Sequence, residues 1–163
     1  MGLLALLAGC KQPVEIISPA KDAVSNTAPE FRIRFNQGVP DTFTTTLNGV
    51  TLDQSGFTIA GNEAFRAISL GQLHAGDNEF AVTSPKEVKR VFHLDQVGPV
   101  VHLLDGGSGN PHQISGYLFD RGGAQSLTIN GTAFSLGSKG EFSGTLPDAN
   151  LYNFVATDVY GYT

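Results

Sequence analysis

The pentapeptide Thr46-Leu47-Asn48-Gly49-Val50 has a near copy at Thr128-Ile129-Asn130-Gly131-Thr132. In each, an Asn-Gly pair separates β-forming residues, which is the strongest short-range hairpin signal a sequence carries. A two-residue type I′ turn needs positive φ at both central positions, and Asn followed by Gly adopts it at little steric cost. A chain with this turn in two places is committed to antiparallel sheet in both. The flanking order also recurs. A Gly56-Phe57 step follows the first hairpin and Gly140-Glu141-Phe142 the second, and then a Leu-led turn runs into a strand over 73–80 and 146–154. Duplication accounts for this order.

The remaining sequence agrees with sheet. Short β-forming runs are expected over 14–17, 31–35, 43–47, 50–52, 57–59, 78–82 and 88–94, and again over 100–104, 113–119, 126–129, 132–136, 141–146 and 152–157. Every gap holds Gly, Pro, Asn or Asp, and the 20 glycines and 8 prolines are turn residues, not helix residues. In Phe31-Arg32-Ile33-Arg34-Phe35 the apolar residues share one face and the arginines the other. A parallel sheet would need helical crossovers, for which no stripe of adequate length exists. The fold class is therefore all-β: two tandem β-sandwiches over 13–96 and 97–163, joined at Leu94-Asp95-Gln96-Val97-Gly98-Pro99-Val100. So short a linker predicts a fairly stiff rod. The cores must hold by apolar burial alone, because the only cysteine is Cys10.

Residues 1–12 read as a processing signal and tether. Met1-Gly2-Leu3-Leu4-Ala5-Leu6-Leu7-Ala8-Gly9 is a short apolar run that ends in two small residues before Cys10. Spanning a bilayer takes about 20 apolar residues, so this is no transmembrane helix. Leu7-Ala8-Gly9-Cys10 resembles the bacterial lipobox, which implies that the Cys10 sulfur is alkylated by diacylglycerol and the chain cut just before it. Several acyl chains then hold the bilayer at about 0.8 kcal/mol per buried methylene. The run is short and no Lys or Arg precedes it, so the true start is expected upstream of Met1, or the signal is a poor one. The plain alternative is an apolar tail with an incidental cysteine. Lys11 is not the Asp that marks inner-membrane retention in some Gram-negative lipoproteins, which leaves the outer membrane or cell surface.

Further resemblance lies in the second half. Asp95 to Pro99 as the opening, Ile114-Ser115-Gly116, Leu127 to Gly131, Gly140-Glu141-Phe142-Ser143 and Phe154-Val155-Ala156-Thr157-Asp158 with Gly161 resemble the bacterial immunoglobulin-like modules. Those occur in tandem in surface proteins and as accessory domains of secreted glycosidases. In that family the Ala-x-Asp-x-x-Gly ending precedes a final strand. The second module is accordingly expected to lack its last strand, and the chain to be the N-terminal part of a longer protein, or else a partner to supply the strand.

Function is bounded mainly by what the residues exclude. Ten Lys and Arg against 15 Asp and Glu give a net charge of -5, and only Lys86, Lys89 and Arg90 approach a cluster. Nucleic acid is therefore no partner, since phosphate binding needs a concentrated positive field. His74, His93, His102 and His112 have no metal-type spacing, and His93 and His102 are expected on strands facing solvent. No catalytic residue, cofactor or metal site is predicted. Asp105-Gly106-Gly107-Ser108-Gly109-Asn110 and Asp120-Arg121-Gly122-Gly123 have oxygens for calcium but lack its dense acidic alternation, and read as plain turns. Asn130-Gly131-Thr132 fits a glycosylation acceptor formally, but the hairpin explains it. For stacking on sugars there is no Trp, only Tyr117, Tyr152, Tyr160 and Tyr162, of which the last two could share an exposed face or equally be edge residues covered by the missing strand. The leading reading is a non-catalytic, lipid-anchored envelope protein, a structural spacer or adhesion module with a protein or glycan partner. The alternative is an accessory, carbohydrate-associated module of a secreted polysaccharide-degrading enzyme.

Overall fold

The computed structural model describes residues 13–106 and 111–163. Contacts divide it into two compact units, one comprising the chain up to Ala23 with Thr27–Leu94, the other Val24–Asn26 with Asp95–Thr163. Cys10 and Lys11, and residues 107–110 of the glycine-rich loop, lie outside the described residues. No described helix is long and apolar enough to cross a membrane.

The first unit contains β1 (Val14–Ser18), β3 (Glu30–Phe35), β4 (Thr44–Leu47), β5 (Val50–Leu52), β6 (Thr58–Ala60), β7 (Glu63–Ala67), β8 (Gly76–Ser84) and β9 (Val88–Leu94). The second contains the two-residue β2 (Val24–Ser25), β10 (Val100–Asp105), β11 (His112–Phe119), β12 (Ala124–Ile129), β13 (Thr132–Phe134), β14 (Glu141–Leu146) and β15 (Phe154–Asp158).

In the first unit one sheet runs β1-β3-β7-β6 and the other β9-β8-β4-β5. The two enclose a core that includes Val14, Ile16, Phe31, Ile33 and Phe35 from the first sheet and Leu47, Leu52, Phe80, Val82 and Phe92 from the second. β3 realises the alternation expected of it: Phe31, Ile33 and Phe35 are buried, while Arg34 bonds Glu63 at 2.8 Å on the outer face. The sequence reading missed β7, and its composition explains why. Its inward side carries Ala64, small and fully buried, and its outer face holds Phe65 beneath the Arg32 guanidinium, 5.9 Å from the ring centre. No apolar alternation remains to announce a strand. Pairing with β3, Ile33 opposite Ala64, makes it one.

The second unit has sheets β10-β11-β14 and β13-β12-β15 around Ile114, Leu118, Leu127, Ile129, Phe142 and Leu146. Strand order puts β10, β11 and β14 in the places of β1, β3 and β7, and β12, β13 and β15 in those of β4, β5 and β8. This corrects one detail of the expected repeat. The counterpart of Gly140-Glu141 is the turn at Gly61-Asn62-Glu63, not Gly56-Phe57: the Phe35 amide donates to Asn62 and the Leu118 amide to Gly140, each at 2.9 Å. In the first unit β8 lies between β4 and β9. Among the described residues β15 pairs with β12 on one side and has no strand of its own unit on the other.

Both Asn-Gly turns form as the sequence predicts. Asn48 and Gly49 have φ of 52° and 79°, Asn130 and Gly131 of 50° and 78°. Each asparagine also ties its hairpin to the next strand. The Asn48 amide donates to Glu79 O (2.8 Å) and Asn48 Oδ1 accepts the Glu79 amide (2.9 Å). Asn130 repeats the pair with Asn153 at 2.9 and 2.7 Å. The asparagine side chain of each turn is thus engaged, and Asn130 has a structural role that accounts for its sequence context.

Candidate functional site

Three aspartates distant in sequence converge in the second unit. Asp95 lies at the start of the unit, Asp120 follows β11, and Asp158 ends β15. Each offers a carboxylate oxygen within 4.8 Å of the others. The turns that place them are local. Asp158 Oδ1 accepts the amides of Tyr160 and Tyr162, both at 2.8 Å, and so curls the chain after β15 into a turn. Asp120 Oδ1 accepts the Gly123 amide at 2.7 Å. Gly122 lets the third carboxylate approach, because a Cβ there would overlap Asp95 Oδ2 and the Tyr160 ring.

Asp158 is 0% and Asp95 2% exposed, and Oδ2 of each is buried without a hydrogen-bond partner. Asp120 is half-buried. Desolvation, and then the neighbouring charges of Asp95 and Asp158, push its carboxyl above the usual carboxylate range against the backbone bonds that favour ionisation. Burial of several carboxylates together is costly unless something positive or protonated joins them. No short motif announces such a cluster. Asp120 stands out in the sequence by its Gly-Gly turn and Asp158 by its Ala-x-Asp-x-x-Gly ending, but neither pattern shows that the fold joins them.

The residues singled out from sequence lie apart from one another. His93 Nδ1 sits 2.9 Å from Asp77, His112 Nε2 2.9 Å from Asp148, and His74 beside Asn48 at 3.4 Å. His102 is exposed, as expected. His93 is not: its side chain is only 17% exposed, because β9 holds it against Asp77 on β8. In the basic grouping, Lys89 is paired with carboxylates, at 3.3 Å from Glu79 and 3.4 Å from Glu87, and Arg90 Nη2 donates to Ile16 O at 2.9 Å. Tyr160 and Tyr162 do not form the exposed pair that their spacing suggested. Both are half-buried in the turn organised by Asp158, and the Tyr160 hydroxyl donates to Val24 O at 3.2 Å.

A different aromatic occupies an open face. Tyr117 on β11 stands opposite His102 on β10 and Glu141 on β14, and its ring stacks on that of His102 at 4.7 Å between centres, 11° between planes. Beside it a shallow hollow of about 620 Å³ is lined by Leu104, Ser115, Tyr117, Lys139, Glu141 and Ser143, among others.

No protein-family model and no curated protein matches the chain. A solved structure, described as Bacteroides ovatus mixed-linkage glucan utilization locus SGBP-B in complex with mixed-linkage heptasaccharide, is similar at 13% identity and a TM-score of 0.27. The match covers 93% of this chain and 45% of that one, so the chain spans less than half the length of the protein it matches.

Proposed function

We propose that this chain is a non-catalytic, lipid-anchored protein of the bacterial cell envelope, placed at the outer membrane or cell surface and serving as a spacer or adhesion module. The observation that supports it best is the repetition of one β-sandwich plan, down to the reciprocal Asn48–Glu79 and Asn130–Asn153 bonds. Among the described residues the four histidines sit at separate places, each with its own neighbour. Repeated compact units suit a spacer between a membrane and other groups. Attachment is assigned to Cys10, whose thioether to diacylglycerol and further acyl chains would make a lasting anchor, where one chain alone would be marginal.

Fractionation of a bacterial host tests the anchor. The native protein is expected to sediment with membranes and Cys10→Ala to be released, with at least about a tenfold drop in the membrane-bound share, since a protein without its acyl chains has nothing comparable to hold it. Equal partition of the two would end this reading.

A second reading, a carbohydrate-associated module, is favoured by the Tyr117 face. An aromatic ring bordered by Glu141, Ser143 and Ser115 combines an apolar surface for a sugar ring with acceptors and donors for its hydroxyls. Electrophoresis in gels containing soluble β-glucans should retard the native protein, and Tyr117→Ala should migrate as in a plain gel. Retardation that survives the substitution would discard this face.

A further inference from the structure

The geometry points to a calcium site formed by Asp95, Asp120 and Asp158, within the second unit. Asp158 commits Oδ1 to two backbone amides, which leaves Oδ2 buried and unpartnered in a side chain that brings a carboxylate oxygen within 4.8 Å of those of Asp95 and Asp120. Asp95 likewise buries Oδ2 without a donor. A buried oxygen with no donor costs free energy, and three acidic groups gathered around such oxygens cost more. A cation among them supplies the missing partner and offsets these costs by attraction.

Distance and donor type select the ion. Two oxygens bound to one calcium at about 2.3–2.6 Å can lie no more than about 5 Å apart, and the three carboxylates meet that limit at 4.8 Å. All three donors are hard oxygens, which argues against zinc, a metal that favours nitrogen and sulfur. Magnesium demands about 2.0–2.1 Å in a near-ideal octahedron and keeps several waters, which suits an open site better than one in which two of the three carboxylates are almost fully buried. Calcium accepts six to eight oxygens in irregular geometry, so backbone carbonyls and water can complete the shell. The ion would join the opening of the unit to the turn after β11 and the end of β15, two segments that the Val159 amide already ties through Gly123 O at 3.0 Å. Stability of the second unit would then depend on external calcium.

All four tyrosines, Tyr117, Tyr152, Tyr160 and Tyr162, belong to this unit, so tyrosine fluorescence reports its unfolding. In the full chain, the tyrosine-detected melting temperature should rise by at least about 5 °C on going from EGTA to calcium at a hundredfold excess over Kd. Terbium should bind in competition with calcium and emit by energy transfer from Tyr160, whose ring lies against Gly122 beside Asp95. Asp120→Asn keeps the Oδ1 that receives the Gly123 amide but removes the charge. It should weaken calcium by about tenfold or more and, in EGTA, melt no lower than the native chain. Asp95→Asn provides a second variant should one of them fold poorly. A native chain that binds neither calcium nor terbium, with the same melting temperature in EGTA and calcium, overturns the site. An equal shift with magnesium overturns the assignment to calcium.

Discussion

Phe80→Ala is expected to lower the stability of the first unit by about 3–5 kcal/mol. Phe80 is 0% exposed and its ring stacks on Phe31 at 4.0 Å between centres and 21° between planes, while Phe31 meets Phe92 edge to face at 5.9 Å. These three rings come from β3, β8 and β9 and join the two sheets across the core. Truncation removes a large apolar area and leaves a cavity that strands fixed by their ladders cannot close. For a unit of this size the loss corresponds to a fall in melting temperature of at least about 15 °C. Far-UV circular dichroism reads it as a transition that tyrosine fluorescence does not follow, because the first unit contains no tyrosine. Phe80→Leu, which keeps most of the volume, should cost about 1.5 kcal/mol or less. If the alanine variant lost less than about 1 kcal/mol, the packing described for this core would be wrong.

Asn78→Leu should be almost as damaging, for the opposite reason. The side chain is 1% exposed and has the same branched skeleton as leucine, so no cavity forms. What disappears is a set of four bonds: Nδ2 donates to His74 O (2.8 Å) and Gly76 O (3.0 Å), and Oδ1 accepts from the His74 amide (3.2 Å) and Asn48 Nδ2 (2.9 Å). Leucine would leave those groups unpaired, at about 1–3 kcal/mol each where they stay dry, and the terms do not add fully. A net loss of about 3 kcal/mol is expected. Since Asn78 also braces Asn48, the β4–β5 hairpin should loosen with it, visible as faster amide hydrogen exchange at Glu79. Exchange at Glu79 unchanged from the native chain would separate the two asparagines and contradict the linkage.

The contrast between these two positions shows what could be read in the sequence and what could not. Local chemistry is legible. The Asn-Gly pairs announced both hairpins because their φ requirement is met by few other dipeptides, and β3 showed its faces because period-2 alternation survives wherever one side is buried. β7 escaped because Ala64 and a Phe65 covered by Arg32 do not alternate in hydrophobicity. Asn78 escaped because its partners are supplied by the turn at His74 and by a hairpin thirty residues away.

The aspartate cluster escaped for the same physical reason in stronger form. Asp120 in a Gly-Gly turn and Asp158 before a glycine turn each have a sufficient local explanation, and only the pairing of β12 with β15 brings them together beside Asp95. The paired tyrosines show the reverse case. Tyr160 and Tyr162 alternate as a strand would, but Asp158 accepts both of their amides and turns the chain. Local signals predict turns and faces. Convergence of distant residues depends on strand order, which no local signal carries.

Anchoring through Cys10 is the claim on which the envelope reading depends, and intact mass tests it most directly. The protein should be expressed in a bacterial host from its full native reading frame, solubilised in detergent and weighed beside Cys10→Ala. The account predicts that the native chain has lost everything before Cys10 and gained the mass of a diacylglycerol and an amide-linked acyl chain, while the variant has gained neither. A native chain with an unmodified Cys10 would contradict it, and the two β-sandwich units would remain without an envelope address.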